Sequence, residues 1–163
     1  MGNTQIKTPN LDKLASESWI FENAITTMAV CAPWRASFLT GQYPLTHGVF
    51  YNDKPSPNEA LTRAEIYKDQ GYATGYIGKW HLNGHARGAH PFSARDLPVP
   101  KERRQGFDYW KVREVTHNCN DSFYFDEKDE KHTWEGYDVF PQTDSAISYI
   151  QQNKENPFVL MLS

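Results

Sequence analysis

Cys31 and Arg35, and further along Lys79 and His81, are the side chains of this 163-residue chain whose types and spacing suit chemistry on a tetrahedral anion. Cys31 opens the run Cys31-Ala32-Pro33-Trp34-Arg35-Ala36-Ser37-Phe38-Leu39-Thr40-Gly41. Pro33 suits a first helical turn, where a missing N–H costs nothing and the fixed φ is already helical. Nothing breaks the helix before Gly41, which stands where a left-handed C-terminal cap is expected. Cys31 is thus placed at or just before a helix N-terminus, where unpaired N–H groups and the positive dipole end favour an anion or a thiolate. Arg35, one turn along, brings a bidentate oxyanion donor to the same side. A buried core cysteine with an arginine reaching out to solvent fits the same local pattern, so the wider context has to decide.

Lys79 and His81 need a different support. Residues 72–77 read as a strand and 78–84 as the loop at its C-terminal end, which is where open α/β sheets bind ligands. In an extended segment Lys79 and His81 project to one side while Trp80 packs on the other. Lys79 then offers a point charge for an anion, and His81 a proton carrier near neutral pH. A surface lysine and histidine beside a buried tryptophan is the structural alternative. His117, in the polar cluster 116–120, is a further candidate for lining a substrate pocket. His85 and His90 fall in the aperiodic excursion 85–100 and match no zinc spacing.

The elements that must carry these residues follow from periodicity and capping. Thr8-Pro9 opens a helix with Leu11, Leu14 and Ala15 on one stripe, ending near Ser18. Trp19-Ile20-Phe21 is expected to be a short strand, and 42–57 a loop rich in Pro, Gly, Asn and Asp. Ser56-Pro57 with Glu59 is expected to start a helix stopped by Gly71. Strands are expected over 107–112, 122–125 and 158–162, with a charged turn over 126–135. Thr143-Asp144 is expected to cap a helix that Asn156-Pro157 terminates. Such alternation suggests an α/β layered sheet in one domain, with no internal repeat or linker.

Composition excludes several classes. A formal net charge of -3 without a basic run gives nucleic acid no footprint. No apolar run approaches the roughly 18 residues of a membrane span, and no secretion signal is visible at the N-terminus. Two cysteines, Cys31 and Cys119, make no disulfide framework, and a bridge between them would consume the thiol of interest.

Cys31-x-Pro33-x-Arg35 with Thr40-Gly41 resembles the sulfatase signature C-x-P-x-R-x-x-x-x-T-G. The segments 6–15, Tyr43-Pro44 to His47-Gly48-Val49, Gly75-Tyr76-Ile77-Gly78-Lys79-Trp80-His81-Leu82 and 157–163 resemble further sulfatase segments in the family's order, so that the resemblance covers essentially the whole chain. It implies the alkaline-phosphatase-like fold, a layered sheet with helices on both faces, of which residues 1–163 are the N-terminal part of a catalytic domain. It also implies that a formylglycine-generating enzyme oxidises Cys31 to formylglycine. The hydrated aldehyde attacks the sulfur of a sulfate ester, and sulfate is then eliminated to restore the aldehyde.

By the same resemblance Cys31 becomes nucleophile and calcium ligand, Arg35 holds the aldehyde hydrate, Lys79 binds sulfate oxygens and His81 assists proton transfer. The substrate would be a sulfate ester, either a sulfated carbohydrate or an aryl sulfate. Trp34 stands where a smaller residue is usual. The family also places metal-binding aspartates before the first helix, and after the last strand a histidine, an Asp-Asn pair and a second lysine. The chain by itself is therefore expected to bind calcium poorly, to turn over no substrate and to leave a sheet edge unpaired. A phosphonate or phosphate ester hydrolase of the same superfamily, and a non-catalytic binding paralogue, are the alternatives. Family members are often periplasmic, secreted or lysosomal.

Overall fold

A computed structural model describes residues 3, 5–84, 96–115 and 117–163. His85, His90 and Thr116 lie outside the described residues. The helices are α1 (Pro9–Ser16), α2 (Cys31–Thr40), α3 (Pro44–His47), α4 (Arg63–Asp69) and α5 (Val139–Asn153); the strands are β1 (Ala73–Lys79), β2 (Tyr109–Arg113), β3 (Phe123–Phe125), β4 (Lys131–Thr133) and β5 (Phe158–Leu162).

The strands form one mixed sheet in the order β4-β3-β2-β1-β5. β1 runs parallel to both neighbours, with Lys79 level with Arg113 and Gly75 level with Leu160. β3 and β4 add an antiparallel hairpin at the far side. Because strand side chains alternate, the consecutive residues Tyr76 and Ile77 feed opposite faces. Tyr76 joins Ala32, Ala36, Leu39, Ala64, Trp80, Trp110 and Val112, the side of α2 and α4. Ile77 joins Ala146 of α5 and Trp134 in a smaller cluster on the other side. Helices therefore cover both faces, as the resemblance implies.

Two glycines set where the strand ends. A Cβ on Gly78, at φ 107, would lie 1.8 Å from the Ser163 carbonyl oxygen, so this close approach of β1 to the residue following β5 needs glycine. Gly41 takes the left-handed C-cap at φ 70 and closes α2 through its N–H to the Ser37 carbonyl.

Several local expectations are corrected. Trp19-Ile20-Phe21 forms no strand; its side chains are exposed, because nothing among the described residues offers that segment a partner strand. α4 begins at Arg63 instead of near Ser56, since Thr62 and Glu65 make a reciprocal capping box there. α5 starts at Val139, ahead of Thr143-Asp144: Pro141 sits within the first turn, where it is tolerated, and Thr143 bonds back to the Val139 carbonyl. The stretch 126–135 is not only a turn but contains β4, and 42–57 contains the short helix α3. Lys79 is the last residue of β1 and not part of the loop after it.

Candidate active site

The site forms where the N-terminus of α2 meets the C-terminal end of β1. Val30 takes the N-cap position in extended conformation and Cys31 is the first helical residue. No side chain of the helix caps it; instead Ala32 N–H donates to Asn52 Oδ1 at 3.0 Å. Lys79 Nζ, half-buried, lies 3.7 Å from Cys31 Sγ. Arg35 Nη1 donates to the Tyr76 hydroxyl at 2.9 Å, the Lys79 carbonyl at 2.7 Å and Ser163 Oγ at 2.5 Å. Arg35 thereby ties one turn of α2 to the ends of β1 and β5, and Tyr76 reinforces the tie by donating to the same Lys79 carbonyl at 2.7 Å.

His81 follows with φ 56, a left-handed conformation uncommon for a residue with a Cβ. It is 3% exposed, and neither ring nitrogen has a hydrogen-bond partner among the described residues. Asp53 Oδ1 is 3.6 Å from Nε2. Burial pushes the His81 pKa down to about 4, helped by the charges of Lys79 and Arg35 and opposed by Asp53, so the ring is neutral at pH 7. Burial also lowers Lys79, with Arg35 adding to the shift and Cys31 countering it.

Two groups, a buried Glu114 and a half-buried Arg103, hold the segment 81–83. Glu114, directly after β2, is 1% exposed and accepts the His81 and Asn83 N–H groups at 2.6 Å each. Burial raises its pKa to about 7 against the pull of those two amides and of Arg103 and Arg35. Arg103 donates to Asn83 Oδ1 at 2.6 Å and to the carbonyls of Ser56 and Leu82.

Beside this centre a cavity of about 300 Å³ is lined by Arg35, Lys79, Lys111, His117, Tyr124 and Trp134, among others. His117 is thus brought to the same opening as Arg35 and Lys79. Cys31 and Cys119 are both free thiols. Trp34 stacks on Phe38 at 5.1 Å, with 38% of its surface exposed.

All four residues singled out from sequence converge. Asn52, Asp53, Arg103 and Glu114 were not anticipated. Asn52-Asp53 lay in a segment read only as loop, and a carboxylate between Val112 and Val115 was the one local sign of a buried acid.

The donor set does not fit a hard cation. Calcium takes six to eight oxygen ligands, yet the Lys79 ammonium group stands 3.7 Å from Cys31 Sγ. Among the described residues the one cluster able to hold a metal is Asp126, Glu130 and His132, in the β3–β4 hairpin. Asp126 is already engaged there by His132 and by the Lys128 and Glu130 amides.

Comparison with known proteins gives a consistent picture. The sequence profile described as Sulfatase matches residues 1–163. An ulvan-active sulfatase of Formosa agariphila is 46% identical over 99% of this chain and 31% of its own length. An N-acetylglucosamine-6-O-sulfatase of Bacteroides thetaiotaomicron is 32% identical over 98% of this chain and 26% of its own. The crystal structure of YidJ from Bacteroides fragilis matches with a TM-score of 0.85 at 32% identity, over 96% of this chain and 38% of that one. A protein solved with its substrate D-glucosamine-2-N,6-O-disulfate matches with a TM-score of 0.77 at 28% identity, over 99% of this chain and 29% of that one. The chain spans less than a third of the length of the two curated relatives.

Proposed function

The chain belongs to the sulfatase family, and from that premise we propose that it forms the signature-bearing part of a longer sulfuric ester hydrolase acting on a sulfated carbohydrate. The observation that carries this reading is the meeting of the two signature segments, with Lys79 Nζ 3.7 Å from Cys31 Sγ and Arg35 bonded to the Lys79 carbonyl. The names of the relatives, one active on ulvan and one on N-acetylglucosamine 6-O-sulfate, support a sugar sulfate as substrate.

In the mechanism, Cys31 is the position that a formylglycine-generating enzyme oxidises, and the resulting aldehyde hydrate supplies the nucleophilic hydroxyl. The residues of this chain do the rest. Lys79 places a desolvated positive charge beside position 31, where the transferring sulfate carries its negative oxygens. Arg35 fixes α2 against the end of β1, so that Lys79 and position 31 keep one geometry, and adds a second cation. His81, neutral at pH 7 and with Asp53 Oδ1 3.6 Å from Nε2, would assist proton transfer at the hydroxyl of position 31. His117 and the rings of Tyr124 and Trp134 offer the neighbouring cavity to the sugar. Calcium, implied by the family, would take position 31 as one of its ligands, and no step is routed through it.

The test uses the full-length protein co-expressed with a formylglycine-generating enzyme. Mass spectrometry of the Cys31 peptide is expected to show the aldehyde. Release of inorganic sulfate from 6-O-sulfated N-acetylglucosamine or from ulvan oligosaccharides is expected with the wild type and not with Cys31→Ala. An unmodified thiol at Cys31, or faster turnover of a phosphonate ester than of any sulfate ester, would overturn the proposal.

A further inference from the structure

We propose that Glu114 is the positioning residue that aims the His81 imidazole, by clamping the backbone of the segment after β1 and without touching the ring. The inference rests on the sulfatase reading of His81 given above.

Three observations carry it. Glu114 is a fully buried acid whose two carboxylate oxygens are spent on two backbone donors, His81 N–H on Oε2 and Asn83 N–H on Oε1, both at 2.6 Å. Both bonds lie at the short end of the N–H···O range. One of these two donors, His81, sits at φ 56, which is disfavoured for a side chain with a Cβ and persists only where the surroundings impose it. The ring itself has no bond that would orient it: both nitrogens lack a hydrogen-bond partner among the described residues, and the Asp53 carboxylate stands at 3.6 Å. The Asp53 contact bears on the ring, and the backbone beneath it sets the direction in which the imidazole leaves the chain.

The clamp continues the sheet. Trp80 N–H donates to the Arg113 carbonyl at 3.0 Å, the last main-chain bond between β1 and the end of β2. From the next residue on, the side chain of Glu114 takes over as acceptor where the two chains diverge. Arg103 closes the far side by holding Asn83 Oδ1 and the Leu82 carbonyl. Loosening Glu114 lets His81 relax toward negative φ, which swings the ring away from position 31 while Lys79, tied through Arg35 and Ser163, stays in place.

The experiment compares wild type and Glu114→Gln in the full-length, formylglycine-bearing enzyme. The amide retains one acceptor but turns an NH2 toward the second backbone donor. We expect kcat per folded molecule to fall about 100-fold, the scale of a misplacement of about 1 Å, with KM held within about threefold. In hydrogen exchange, the amides of residues 81–84 are expected to open at least about 10-fold faster, with little change in the peptides of β1. A purely structural role would lower Tm and leave kcat per folded molecule unchanged, and that result overturns the proposal. Should Glu114→Gln fail to fold, Glu114→Asp, which keeps the charge but spans only one of the two amides, carries the same test. Should the wild type hydrolyse no sulfate ester, the sulfatase reading falls; exchange at residues 81–84 then still decides, because unchanged protection in the Glu114 variants would overturn the clamp.

Discussion

Trp80 and Trp19 are the same residue in opposite settings. Trp80 is fully buried, ringed by Tyr76, Phe107 and Trp110 at centroid distances of 5.0–6.1 Å, between the two residues that flank the candidate site. Trp19 is 94% exposed and stands in a segment whose Ile20, Phe21 and Ile25 are exposed as well. Trp19 reads as part of a short strand and Trp80 as part of the loop that follows one. The difference is made by long-range partners: the end of β1 is gripped by Arg35, Ser163, Arg113 and Glu114, whereas among the described residues no strand pairs with 19–21. Hydrophobicity supplies the drive to bury a segment, but the ordered place comes from hydrogen-bonding partners far away in sequence.

The largest effect that would break or sharpen this contrast is chemical. Cys31→Ala in the full-length enzyme is expected to lower sulfate-ester turnover by about 10³-fold or more, the scale seen when a covalent nucleophile is removed, with the melting temperature barely moved. Assays of released sulfate beside a thermal melt decide it. On the buried side, Trp80→Ala is expected to cost about 3–5 kcal/mol, as for other aromatic truncations in close-packed cores, measured by urea unfolding; a cost below about 1 kcal/mol would remove the contrast. A more moderate effect comes from acid. His81 has its folded pKa lowered to about 4 from 6.5, so the unfolded chain takes up the proton first. Its contribution to stability is complete above about pH 6.5 and is lost as pH falls toward 4. The wild type is expected to melt lower across that window by more than His81→Gln does. The smallest effect is at Trp19: Trp19→Ser is expected to change the stability of this chain by less than about 0.5 kcal/mol, as at other open surface positions. A loss of several kcal/mol from the same substitution in the full-length protein would show that the rest of the domain packs on residues 19–25, and would turn the two tryptophans into the same case.

Legibility from sequence followed the same division. Local signals worked where the decisive interaction is local. Pro33 and Gly41 delimited the helix that starts at Cys31, and the apolar run 158–162 gave β5. The Lys79-Trp80-His81 triplet was placed at a strand's C-terminal end with the tryptophan buried. Local signals misled at Trp19-Ile20-Phe21, because an apolar triplet carries no information on whether a neighbouring strand exists. They competed at the start of α4, where Ser56-Pro57 and Thr62-x-x-Glu65 are both plausible caps and the reciprocal pair formed. β4 was hidden by the polar side chains of Lys131, His132 and Thr133, which suit an edge strand as well as a turn. Glu114 could not be read from sequence as a clamp, since its two donors lie 33 and 31 residues earlier.

The bond from Arg35 Nη1 to Ser163 Oγ spans 128 residues of chain. Contacts that close so long a loop form late, because the entropy of the intervening chain must be given up before they return anything. As the protein emerges from the ribosome, α2 can coil as soon as its own residues are free, and β1 can approach it some forty residues later. The latch that fixes Arg35 against the strand ends waits for β5. Cys31 is therefore made before Arg35, Lys79 and His81 but is locked against the strand ends only after them, which leaves a period during synthesis when this segment is formed, accessible and not yet committed to its final surroundings.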